Sequence, residues 1–138
     1  MAQTDGPPVE LESAKKAIAA ALAEAKKNGW TMAAAVVDPG GHLIAFERMD
    51  GTQNGSARVC VDKARSAALF RRPTKAFQDA LAAGGEGLRV LKLHGAIPID
   101  GGVPLVVSGR VVGAIGLSGG QSSEDGQCAR AGAAALGS

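Results

Sequence analysis

Apolar residues recur at Leu11, Ala14, Ile18, Ala21, Leu22 and Ala25 with lysine and glutamate between them. That is the period of a helix with one buried face, so a helix is predicted over Val9–Lys27, closed by Asn28-Gly29. Thr31–Val37 is a continuous apolar run and reads as a strand. Asp38-Pro39-Gly40-Gly41 is a turn signal, and His42–Arg48 returns as the second arm of a β-hairpin. A polar loop, Met49–Gly55, leads to Ser56 as N-cap of a second helix over Ala57–Phe70, whose stripe is Ala57, Cys60, Val61, Ala64, Ala67 and Ala68. Pro73 breaks that helix, and a shorter one is predicted over Thr74–Ala83. Gly84–Gly102 is rich in glycine and poor in periodicity, with room for a helical turn at Leu88–Leu91 and for one more strand. Loops of this length in small domains are usually functional or disordered. Val103–Val107 and Val111–Leu117, joined at Ser108-Gly109, form a second hairpin. Gly119-Gly120 then opens a last helix, Ser122–Leu136, with Ser122 and Asp125 as its capping pair.

The predicted order is α-β-β-α-α-(β)-β-β-α, an α+β domain with a five-stranded antiparallel sheet flanked by helices. Residues 1–8 read as a flexible tail and residues 9–138 as one domain. Composition sharpens this picture. Hydrophobic residues make up 46% of the 138, but aromatics are only 3%: Trp30, Phe46, Phe70 and Phe77. Such an aliphatic, alanine-rich core is shallow, and self-association is the expected way to add burial. The two cysteines, Cys60 and Cys128, fall on helical stripes and read as buried free thiols.

Charge excludes several classes. The net charge of +2 is spread along the chain, without the basic stripe and stacking aromatics of a nucleic-acid binder. No segment approaches the roughly 20 apolar residues of a membrane span, and the N-terminus lacks the pattern of a signal peptide, so a cytoplasmic protein is expected. Gly116-Leu117-Ser118-Gly119-Gly120 matches the G-x-S-x-G nucleophile elbow, but both histidines precede the serine, and a structural turn is the better reading. Neither a P-loop nor a dinucleotide fingerprint occurs, and Glu124 and Asp125 would repel a phosphate at the last helix.

Five segments occur in a fixed order: Asp38-Pro39-Gly40-Gly41-His42, Phe46-Glu47-Arg48-Met49-Asp50-Gly51, Asp62-Lys63-Ala64, Gly101-Gly102-Val103-Pro104, and Gly113 through Gly120. Together they resemble the GlcG/HbpS-like haem-binding family, which includes the C-terminal domain of PduO-type proteins. The resemblance runs from about Val9 to the end. It implies a profilin-like fold, even-numbered homo-oligomers and a tetrapyrrole ligand, haem or a corrinoid, in haem handling or degradation. It carries over no iron ligand.

The residues themselves leave three functions open: a tetrapyrrole binder, a small acid/base enzyme acting on an organic acid, and a sensor or scaffold subunit without catalysis. Arg48, Met49 and Asp50 follow a strand directly, where a rigid base positions ligand contacts. Arg48 is a candidate carboxylate clamp, or else the partner of Asp50 or Asp62 in an ion pair. Lys63 sits at the edge of the second helix's apolar stripe. It is either a base that reaches a pocket, with Asp50 as acid, or a surface lysine paired with Asp62 or Glu47. Met49 is a soft contact to a flat cofactor or core filler. His42 and His94 have no metal-motif spacing; if haem is bound, one of them is the candidate iron ligand.

Overall fold

A computed structural model describes residues 3–137. Met1 and Ala2 of the predicted tail, and Ser138 at the domain's end, lie outside the described residues. The elements are β1 (Thr4–Asp5), α1 (Leu11–Lys27), β2 (Ala33–Val37), β3 (Leu43–Arg48), α2 (Asn54–Phe70), α3 (Thr74–Ala83), a 3-10 helix (Gly85–Lys92), β4 (Gly102–Val107), β5 (Arg110–Ser118) and α4 (Ser122–Ala134). The α+β class and both hairpins are as expected. The sheet is mixed rather than wholly antiparallel. β2–β3, β2–β5 and β4–β5 pair antiparallel, but β1 pairs with β5 in parallel, Thr4 opposite Arg110 and Asp5 opposite Val111.

The fifth strand therefore comes from the predicted tail and not from the irregular 84–102 stretch. β4 occupies one edge of Arg110 and Val111, so β1 takes the other, beyond the point where β2 ends at Val37 opposite Ala114. The chain ahead of α1 is tied down further, since the N–H groups of Gly6 and Val9 donate to Val111 O and Val112 O.

Alternation along the strands decides what each helix covers. Ala34, Val36, Ile115 and Leu117 face α1 and α4, in one core with Ala14, Ala17, Ile18, Ala21, Cys128 and Ala129. Ala33, Ala35, Val37 and Ala114 face α2, against Cys60, Ala64, Ala67 and Ala68. Small residues on both sides let the helices approach closely. A Cβ on Gly116 would lie 2.6 Å from Ala64 N and also collide with Cys60 O, so α2 rests directly on the β5 backbone there. The β4–β5 turn uses Ser108 and Gly109 with φ of 52° and 73°, a left-handed pair that matches the twist of a two-residue hairpin.

Two helix starts differ from expectation. α2 begins at Asn54, one turn's fraction earlier than its apolar stripe, and Ser56 is buried within it, accepting from Gln53 Nε2 at 3.0 Å. At α4 the capping partner is Glu124, whose Oε1 accepts the Gln121 N–H at 2.9 Å. Asp125 is drawn inward instead. Both cysteines are free and buried, with thiols pushed up to about 12 by desolvation, so they stay protonated and unreactive at neutral pH. No described helix is long and apolar enough to cross a membrane.

Candidate functional site

The Asp38-Pro39-Gly40-Gly41-His42 turn is built around one carboxylate. Asp38 Oδ1 accepts the N–H groups of Gly40 and His42, each at 2.9 Å, and His42 Nδ1 lies 3.1 Å from both carboxylate oxygens. Partial burial raises the Asp38 carboxyl. The His42 N–H, the His42 ring and the Gly40 N–H together outweigh that and hold it below the usual range. With Nδ1 turned to Asp38, the opposite nitrogen, Nε2, is turned away. The His42 side chain is 82% exposed. A ring nitrogen oriented through its partner is how proteins prepare an imidazole for a metal.

Beside this turn runs Arg65 of α2, whose Nε is 3.5 Å from where a Cβ on Gly41 would stand. Arg65 also lines a recess of about 210 Å³ with Asp62, Leu69, His94, Gly95 and Ile97. Asp62, Arg65 and Leu69 recur at helical spacing and so share the outer stripe of α2. The His94 loop is seated on that helix by the Ile97 N–H, which donates to the buried Ser66 Oγ at 3.0 Å. Leu69 of this recess is exposed, as are Leu43 and Leu93, the sequence neighbours of His42 and His94. The fold thus brings the turn that carries His42 and the loop that carries His94, fifty-odd residues apart in sequence, each beside Arg65. Sequence reading missed Arg65, because a charged residue on a helix's polar face looks like ordinary solvated surface.

The other predicted site residues do not join this surface, nor one another. Arg48, at the far end of β3 from His42, pairs with neither Asp50 nor Asp62. Its guanidinium donates to Thr52 O and Asn54 Oδ1, both at 2.7 Å, and so latches the loop that enters α2. Met49 packs against the α1-side core, with Sδ accepting the Met32 N–H at 3.3 Å. Asp50 is exposed in the loop beyond it.

Lys63 corrects the expectation most sharply. It is 1% exposed, and its ammonium donates to Asp125 and to Leu117 O, each at 3.0 Å. Its partner is neither Asp62 nor Glu47. A buried ammonium that donates to a carboxylate and a carbonyl, and lines none of the open recesses described here, is not placed as a base. Asp125 in turn accepts the Gly120 N–H at 2.9 Å; desolvation raises its carboxyl, and Lys63 opposes that. Gly101 and Gly102 supply the space, since a Cβ on either would meet Lys63. The Gly101-Gly102 and Asp62-Lys63-Ala64 segments are therefore packing signatures. Ser118 of the elbow-like turn is 3.2 Å from Ser56 Oγ, and neither histidine is among its hydrogen-bond partners in the described residues.

A family model described as "Haem degrading protein HbpS-like" matches residues 9–134. The chain belongs to the HbpS-like family. It is 42% identical over 107 residues to Protein GlcG of Escherichia coli, covering 78% of each chain. This HbpS-like chain also superposes on a crystal structure of a double mutant of HbpS from Streptomyces reticuli with a TM-score of 0.87 and 34% identity, covering 98% of this chain and 91% of that one. It shares its fold with the crystal structure of a PduOC–haem complex, with a TM-score of 0.83, 22% identity, and coverage of 94% of this chain and 96% of that one.

Proposed function

We propose that this chain binds haem on the surface between the His42 turn and the His94 loop, with Arg65 beside each. The observation that carries the reading is His42: an exposed imidazole held through Nδ1 by Asp38, with Nε2 turned outward. Histidine is a common axial donor to haem iron. Arg65 supplies the fork-shaped cation suited to a propionate, and exposed Leu43, Leu69 and Leu93 supply apolar contact to a ring. The residues present fit the group as a surface ligand. The recess of about 210 Å³ is smaller than the roughly 300–1,000 Å³ of sites that enclose a drug-sized ligand, so a porphyrin would lie across it with one face uncovered. HbpS-like membership and the haem held in the PduOC–haem complex support the same ligand.

Absorption titration with haemin tests this. The chain is expected to saturate at one haem per chain or per pair. His42→Ala should abolish the low-spin spectrum, and Arg65→Ala should weaken binding about tenfold with the spectrum unchanged. Both side chains are exposed, so folding should survive. If His42→Ala and His94→Ala each leave the spectrum as it was, neither histidine is the ligand and the reading fails.

A second copy of the chain is the partner we propose for the uncovered face, since exposed leucines around a small aliphatic core favour self-association. Sedimentation at micromolar concentration should show a dimer or a larger even-numbered assembly. A single 13.8 kDa species would contradict it.

A further inference from the structure

A second cleft opens at the β4 edge of the sheet, away from β3. Pro73 and Ala76 at the start of α3, Val103 of β4 and Arg130 of α4 enclose about 380 Å³, with Lys75 and Asp79 at the rim. That volume is within the range of small-ligand pockets. Lys75 and Asp79 bond each other at 2.9 Å across one helical turn, so their charges cancel locally. Arg130 is placed differently. Its side chain is 53% exposed, and its carboxylate partner is Asp100, whose side chain is 3% exposed, at 3.5 Å. That is longer than the 2.7–2.9 Å of a charge-assisted hydrogen bond, so most of the five guanidinium donors remain available.

Asp100 Oδ1 is buried with no hydrogen-bond partner among the described residues. Its backbone N–H donates to Gln78 Oε1 at 2.8 Å, and a Cβ on Gly126 would collide with its carboxylate, so the group is fixed against α4. Arg130 therefore lines the cleft with the buried Asp100 carboxylate against one side of its guanidinium.

We infer that this cleft is a separate binding site for a small carboxylate with an apolar body. Arg130 clamps the carboxylate, and Pro73, Ala76 and Val103 pack the body. The site shares no lining residue with the His42–Arg65–His94 surface, so it stands or falls independently of haem binding.

The probe is benzoate, with benzamide as its uncharged counterpart, titrated into the ¹⁵N-labelled full chain and followed by amide shifts. Benzoate should produce saturable shifts confined to Thr74–Asp79, Val103 and the Arg130 turn, and benzamide should bind at least tenfold more weakly. Arg130→Gln should weaken benzoate about tenfold or more while leaving the spectrum elsewhere intact. Arg65→Ala, which is expected to weaken haem binding, should leave the benzoate affinity unchanged. Equal binding of benzoate and benzamide, unsaturable or scattered shifts, or unchanged affinity in Arg130→Gln would each overturn the inference.

Discussion

Lys63→Ala is expected to remove about 3–5 kcal/mol of stability at neutral pH, the scale for breaking a buried ion pair from one side. The loss has two parts. Among the described residues Asp125 keeps only the Gly120 N–H as a short partner, and Leu117 O loses the Lys63 ammonium. The sign of the pH dependence follows from the carboxyl. Burial already raises Asp125 in the folded chain, and without the ammonium it rises further. The folded variant then holds that proton more tightly than the unfolded chain does, so its stability falls as pH rises from the unfolded carboxyl value of about 4 through the raised folded one. Urea unfolding should therefore show a smaller deficit at pH 5 than at pH 8. Lys63→Met with Asp125→Leu should recover most of the loss, because an apolar pair of similar volume avoids burying charge. A deficit under 1 kcal/mol at both pH values would make the pair a bystander.

Gly116→Ala should be nearly as damaging, from the addition of one methyl group. The obstacles are Cys60 O and Ala64 N, backbone atoms of α2 that cannot rotate away as a side chain would. The helix must lift from the sheet and open the Ala33–Ala35–Cys60 contact. Overpacking of this kind costs about 3 kcal/mol, or a fall in Tm of about 10 °C. Gly55→Ala is the control: it lies on α2 itself, but a Cβ there meets nothing within 4 Å, and the Tm should stay level or rise slightly. Equal Tm values for wild type and Gly116→Ala would mean that α2 does not rest on β5 as closely as described.

These two positions mark what the chain's pattern reveals and what it hides. The stripe from Leu11 to Ala25 and the breaker at Pro73 placed α1 and α3, because helical periodicity and proline act locally. The Ser108-Gly109 turn was equally legible. β1 was not: two residues pair through their backbones, and side-chain pattern carries no trace of that. Lys63 and Asp125 are 62 positions apart, so no local spacing announces their bond. Arg48, singled out for following a strand, serves the loop next to it. At the candidate site, His42 and His94 were visible as isolated histidines, yet only the packing of two loops on α2 brought each of those loops beside Arg65.

The most direct test of the proposed haem surface is a map of where haemin sits, read from the backbone amides of the ¹⁵N-labelled chain. Paramagnetic broadening on adding haemin should be confined to Asp38–Leu43, to Asp62, Arg65 and Leu69 on α2, and to Leu93–Ile97. Broadening centred on the Met49–Gly55 loop or on the α3–β4 cleft, or no saturable broadening at all, would contradict the account.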